Sequence, residues 1–219
     1  GIRKNLLEYD QVNNEQREFI YAERRRVLDG ESMRDTIYKM ITDTVDGCVD
    51  TCISEDQSPD EWDLDVLNTL LLPIIPLETV TLDYVKAKHM KKKNDLIQAL
   101  KEQAVKLYEE KEAEFPESEH LREIERVIIL KVIDRKWMDH IDDMDQLRQG
   151  IGLQAYGNRQ PVVEYKFQGF EMFESMIAAI QEETVKALMH VKIEQKVERE
   201  EVAKVTGTNR DDSIANTPI

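Results

Sequence analysis

Two apolar stripes at helical spacing constrain this chain more than any other feature. Leu130, Ile133, Trp137, Ile141, Met144, Leu147 and Ile151 recur every three or four residues. Val163, Phe167, Phe170, Phe173, Ile177, Ile180, Leu188 and Val191 form a matching second set. That period lines up each set along one face of an α-helix. A helix with such a stripe is not stable in water alone, so each must bury against its partner or a third helix. Gly150, Gly152, Gly157 and Pro161 lie between the two sets. They are expected to interrupt the helices as a short loop, which makes the pair an antiparallel hairpin.

The rest of the chain also reads as helix. Only 8 glycines and 6 prolines punctuate 219 residues, and Glu, Lys and Leu are abundant, so the fold class is all-α. Residues 1–30 form one amphipathic helix on Ile2, Leu6, Tyr9, Val12, Phe19, Ile20 and Val27, with Gly30 as its stop and Arg24, Arg25 and Arg26 favouring its C-terminal dipole. A second helix starts at Ser32, where Ser32 and Asp35 resemble a capping box, and turns Ile37, Ile41, Val45, Cys48 and Cys52 one way. Ser58-Pro59-Asp60-Glu61 starts a third, with Pro at its first position. Trp62, Leu67, Leu70 and Leu71 supply its apolar face, and Pro73 and Pro76 end it. A fourth carries Ile97, Leu100, Ala104, Leu107 and Tyr108, up to Pro116. After Glu201 the chain turns polar and is expected to be a disordered tail, most clearly over 206–219. The chain opens on Gly1-Ile2-Arg3-Lys4 already in helical periodicity and reads as a piece of something longer.

Charge narrows the partners. The formal net charge is −15. Residues 1–30 are neutral, 31–117 carry −10 and 118–219 carry −5. Nucleic-acid binding needs a basic surface to displace counterions, so it is not expected. No apolar run approaches the ~20 residues that span a bilayer. One local exception to the acidity is Lys86, Lys88, Lys91, Lys92 and Lys93. It reads as a solvated face or, more sharply, as a contact for an acidic partner or lipid head group. It lacks the interleaved aromatics that base stacking requires.

Catalytic and metal motifs are sparse. No Gly-Lys-Ser/Thr triplet is present to cradle phosphates. Gly150, Gly152 and Gly157 follow a helix rather than a strand and read as a turn. Asp60-Glu61-Trp62-Asp63 mimics an acidic magnesium box, yet it opens a helix, where carboxylates serve the first turn. His89, His120, His140 and His190 lack metal spacing and are expected on solvated faces. Cys48 and Cys52 read as two reduced core thiols, since nothing completes a tetrahedral set. No catalytic residue and no metal or cofactor site is expected. Tyr156 stands out instead: an aromatic beside Leu153, Gln154 and Ala155 in a hairpin loop has no core to fill. Its flat ring can touch many partners at little cost in rotamer freedom. The alternative is that it folds back to cap the hairpin.

Longer strings then carry a resemblance. Residues 3–17 read RKNLLEYDQVNNEQR, residues 137–156 read WMDHIDDMDQLRQGIGLQAY, and residues 163–173 read VEYKFQGFEMF. These resemble the C-terminal third of the SecA family, the motor ATPases of bacterial preprotein translocation. The resemblance covers nearly the whole chain and is strongest at its two ends.

What the resemblance implies can be placed on this numbering. Residues 1–30 would begin the helical scaffold and 31–117 would be an inserted helical wing domain. Residues 118–205 would complete the scaffold, including a two-helix finger over about 124–192 that also regulates ATP hydrolysis. Tyr156, with Leu153 and Ile151, would be the finger tip that contacts the translocating preprotein at the SecY channel. The implied partners are the SecY complex, unfolded preprotein, the nucleotide-binding domains of the same parent chain, and an anionic membrane surface through the parent. Separately, the apolar stripe of residues 1–30, without the body it would pack against, is expected to pair with the hairpin or with a second copy. The implied location is the cytoplasm, peripheral to the cell membrane. ATP and magnesium would belong to the missing part of the parent, so this portion is expected to be no enzyme. A free-standing acidic helical adaptor, binding partner helices through the 163–191 stripe, is the alternative.

Overall fold

The computed structural model describes residues 2–154 and 160–192. Seven α-helices and one 3-10 turn make up the regular structure of those residues, without strands. The helices are α1 (Ile2–Leu28), α2 (Arg34–Cys52), α3 (Leu64–Leu71), α4 (Leu82–Ala87), α5 (Lys93–Ala113), α6 (Ser118–Gln154) and α7 (Pro161–His190). The all-α expectation holds.

The long helices form a three-rod seam. α6, at 37 residues, spans about 55 Å and α7, at 30, about 45 Å. α1 packs against both. Its register is readable from paired side chains. Asp10 meets Arg148, Gln16 meets His140 and Arg24 meets Asp134, so α1 runs antiparallel to α6. Asn13 meets Tyr165, Gln16 meets Gly169 and Phe19 meets Phe173, so α1 runs parallel to α7. α2, α3 and α5 pack together as a compact acidic bundle, with α2 also seated on α7.

Two apolar clusters result. The large one fills the bundle and the lower hairpin, taking Ile37, Ile41, Leu67, Leu71, Leu96 and Leu100 together with Ile20, Ile133, Trp137, Ile180 and Leu188. The small one, Met144, Ile151 and Tyr165 with Tyr9 and Val12 against it, lies toward the loop end of the hairpin.

Several local expectations are corrected. α6 does not stop at the glycines; it runs through Gly150 and Gly152 to Gln154. A helical glycine costs only about 1 kcal/mol relative to Ala, and burial of Ile151 between them offsets part of that. Gly157 lies outside the described residues. The Ser32 box does not form. Met33, buried in the core, precedes the first helical residue, and no side chain caps α2. The Ser58 box does form, with Glu61 accepting from both Ser58 N and Oγ at 2.9 Å. It closes only the turn Pro59–Glu61, and α3 starts later, where Asp63 accepts from Val66 N. Helix α4 is short enough to escape a periodicity search, although Thr81 caps it as a threonine before an apolar run should. Gly30 ends α1 at φ +79°, in the region where glycine is free of strain.

The first half of the second stripe is also rotated, whereas its second half faces inward as expected, with Ile180 and Leu188 buried and Phe173 and Ile177 packed against the large cluster. Val163, Phe167 and Phe170 are exposed, Phe170 by 58%. Val162, Tyr165, Gly169 and Met176 face inward instead. The reason is the third rod: α1 and α6 converge on the flank of α7 next to the stripe, so the buried face lies between two partners. Ile141 of the first stripe is likewise exposed.

Candidate hairpin interface

The site builds outward from Gln16. Along α1, Val12, Gln16 and Ile20 follow one another at four-residue spacing, so Gln16 occupies a core position. Its amide nitrogen donates to the Gly169 carbonyl on α7 at 3.1 Å. Its amide oxygen accepts from His140 Nε2 on α6 at 2.7 Å. A carbonyl oxygen only accepts, so the neutral His140 carries its proton on Nε2. One buried side chain therefore grips both helices of the hairpin. It does so between the two apolar clusters: Val12, Met144 and Tyr165 lie on one side, and Ile20, Trp137 and Met176 on the other.

Gly169 makes that grip possible. A Cβ there would lie 2.9 Å from Met144 Cε and 3.4 Å from its Sδ. α7 thus approaches the seam closely enough for its carbonyl to reach Gln16.

His140 corrects an expectation. It is 4% exposed rather than solvated, between Trp137 and Phe173 at ring-centroid distances of 5.6 and 5.8 Å. Burial holds its pKa below the usual imidazole value, opposed by the nearby Asp143 carboxylate.

Toward the loop end, Tyr9 and Tyr165 meet edge to face at 4.7 Å. Tyr165 donates to Asn13 Oδ1 at 2.7 Å. Arg148 pairs with Asp10 at 3.1 Å and lies over the Tyr9 ring at 5.3 Å. Toward the root, Lys136 reaches Glu183 at 2.6 Å, with Arg135 on the same carboxylate. Those two cations outweigh burial and hold the Glu183 carboxyl below its ordinary value.

The residues singled out at the tip are distributed unevenly. Ile151 is 3% exposed and packs with Met144 and Tyr165. Leu153 lies in the last turn of α6. Tyr156 lies outside the described residues. Beside the seam, Val12, Phe19, Phe170 and Phe173 line an open groove of about 430 Å³ between α1 and α7.

Other candidates resolve into local structure. In the acidic quartet, Glu61 caps Ser58, Asp63 caps α3, and Asp60 pairs with Lys86 at 3.1 Å. In the lysine run, Lys93 is buried between Asp50 at 2.6 Å and Glu55 at 3.6 Å, whereas Lys88, Lys91 and Lys92 are exposed. Cys48 and Cys52 are free and half-buried, flanking the core slot that Val49 takes. No helix among the described residues is long and apolar enough to cross a membrane.

Gln16, His140 and Gly169 were not singled out by pattern. The available signal was a polar residue at an apolar phase: Gln16 between Val12 and Ile20, and His140 between Trp137 and Met144.

Comparison with known proteins bears on the whole arrangement. The family model described as SecA Wing and Scaffold domain matches residues 1–192. The Protein translocase subunit SecA of Lachnoclostridium phytofermentans is 75% identical over 219 residues, all of this chain and 25% of the relative. That of Finegoldia magna is 44% identical over 219 residues, all of this chain and 24% of the relative. The Protein translocase subunit SecA 1 of Alkaliphilus metalliredigens is 45% identical over 220 residues, with the same coverage. The chain therefore spans about a quarter of the length of the curated relatives it matches.

Proposed function

The chain belongs to the SecA family, as its wing and scaffold portion, and on that premise we propose that it is the non-catalytic arm of a protein-export motor. It couples and regulates ATP hydrolysis in nucleotide-binding domains elsewhere in the longer protein. Its finger tip touches the unfolded preprotein at the mouth of the SecY channel. ATP and magnesium belong to that other part, and this portion carries no cofactor or metal of its own. The longer protein works in the cytoplasm and at the inner face of the membrane, where it meets the anionic surface.

The observation that carries the reading is the grip of α1 on both hairpin helices through Gln16. A displacement of α1 cannot slide past a hairpin held at a buried polar contact flanked by two packed clusters. It moves the hairpin as a body, and a rod about 55 Å long delivers that motion to its far end. Ile151, buried against Met144 and Tyr165, holds the last turns of α6 on the seam. Contact with a passing chain falls to Tyr156 and Leu153. An aromatic ring suits that task, since it binds without demanding a sequence.

A photo-crosslinker at position 156 of the full-length translocase tests the reading during transport. Adducts to the preprotein are expected, and Tyr156→Ala is expected to slow transport with this portion still folded. Efficient transport without adducts removes the tip role. Exposed Val163, Phe167 and Phe170 favour the adaptor as a second reading. It requires the isolated chain to bind a partner helix on that face.

A further inference from the structure

Four helix ends meet at one corner, where the wing joins the hairpin root. Arg34 and Tyr38 come from the start of α2, Tyr108, Lys111 and Glu112 from the end of α5, and Arg122 and Glu125 from the start of α6. Lys111 Nζ donates to the carbonyl of Val191, just past α7, at 2.6 Å. Glu125 is the centre. It is 0% exposed, and its Oε1 accepts from Tyr108 Oη and, at 2.5 Å, from Arg122 Nη1. The other guanidinium nitrogen of Arg122 reaches Glu112, whose second oxygen pairs with Arg34 at 3.2 Å. Arg34 in turn lies 5.0 Å over the Tyr38 ring, which meets Tyr108 edge to face at 5.9 Å. A chain of alternating charge thus runs from α6 across α5 to α2.

Stability alone is a poor account of Glu125. A buried carboxylate carries a desolvation cost that apolar residues of similar volume avoid. Its Oε2 is buried with no hydrogen-bond partner among the described residues. What such a network supplies is directional geometry. α2 seats on α7 through the shared apolar cluster, but the junction of α5 with α6 has no such packing to set it. α5 and α6 share no broad interface, and only residues 114–117 connect them. Tyr108 is held un-ionised by burial and by its bond to Glu125, so its hydroxyl serves as the donor.

We propose that Glu125 is a positioning residue that, through Tyr108 and Arg122, sets the angle at which the wing stands on the hairpin root. This rests on the export reading only for its use: a wing held at one angle moves with the hairpin and resists its swing. The lock itself is a property of this chain.

Spin labels at positions 65 and 138, both exposed, report that angle as a distance distribution, with Cys48 and Cys52 replaced by Ala. The parent is expected to give one narrow peak. Combined Tyr108→Phe, Arg122→Leu and Glu125→Leu replaces the network by apolar residues. It is expected to keep a cooperative melt while the peak broadens or shifts. An unchanged narrow peak in the folded triple variant overturns the proposal. If the triple variant fails to fold, Tyr108→Phe alone, which removes one hydroxyl, must broaden the peak; an unchanged peak there overturns it equally. The same substitutions in the full-length translocase separate the two ideas. A broadened peak with undiminished transport upholds the lock and counts against the export reading's use of it.

Discussion

Nε2 of His140 on α6 lies 2.7 Å from Oε1 of Gln16 on α1, buried in the seam that joins the hairpin to the first helix. The imidazole is neutral there because burial disfavours its charged form more than Asp143 favours it. A pH dependence follows with a definite sign. The folded pKa lies below the unfolded value of about 6.5, so in the window between them the unfolded chain binds more protons. Stability is full above about pH 6.5 and falls as pH drops through that window. Glu61, Asp95 and Glu183, whose carboxyls are held below their ordinary values, add a further loss only at lower pH. Urea melts at pH 7.5 and 5.5 are expected to show the first loss in the parent and a smaller one in His140→Gln. Equal losses in both would assign the effect elsewhere.

Gln16→Glu reverses that sign. A carboxylate within reach of Nε2 favours the imidazolium, so the His140 pKa should rise, and by more than a unit if the pair stays dry. Stability then becomes greatest below the unfolded histidine value and falls as pH rises through the raised one. Gln16→Leu, by contrast, orphans the Nε2–H and is expected to cost about 2 kcal/mol. Nuclear magnetic resonance titration of the His140 ring in the parent and Gln16→Glu checks the raised pKa, and urea melts of the parent and Gln16→Leu check the stability cost.

Much of this architecture was legible because the apolar periods are long. The two stripes foretold a hairpin, and Gly30 and Pro161 bracketed helices as their backbone chemistry requires. The facing of the first half of α7 was not legible, although Ile180 and Leu188 face the core as their stripe predicted. A stripe eight residues strong fixes a helix, yet Phe167 and Phe170 sit outside because a third rod shares the burial. Gly150 and Gly152 misled because a helical glycine costs only about 1 kcal/mol, a loss that burial of Ile151 between them partly offsets. The strings at residues 3–17 and 137–156 carried the family, whereas the partners of Gln16 and Glu125 become visible only when residues over a hundred positions apart, or across a turn, are brought together.

The outward turn of the first half of α7 has its own test. Ile180 is buried in the large cluster, and Ile180→Ala should cost about 2–5 kcal/mol. Phe170→Ser removes a larger side chain from an exposed position and should cost about 0.5 kcal/mol or less. Denaturant midpoints at constant m-value measure the contrast. Comparable losses at the two positions would place Phe170 in a core it does not occupy here.

The two thiols of α2 report on the packing of the α2–α3–α5 bundle. Burial pushes the Cys48 thiol up to about 11, aided by the negative charge of Glu182 and by Cys52. Cys52 is raised as well, chiefly by burial and then by Asp63. The thiolate is the reactive species, so at pH 8 Cys48 should alkylate roughly two orders of magnitude more slowly than an unperturbed thiol of pKa about 8.5. Its rate should climb with pH well beyond the point where a free thiol levels off. Mild urea should leave that rate unchanged until the α2–α3–α5 bundle unfolds, because α2 shields Cys48 only while it packs on α5 and α7. Mass spectrometry of timed alkylation reads each cysteine separately. Fast labelling of Cys48 at neutral pH would mean that α2 leaves this packing in the folded chain.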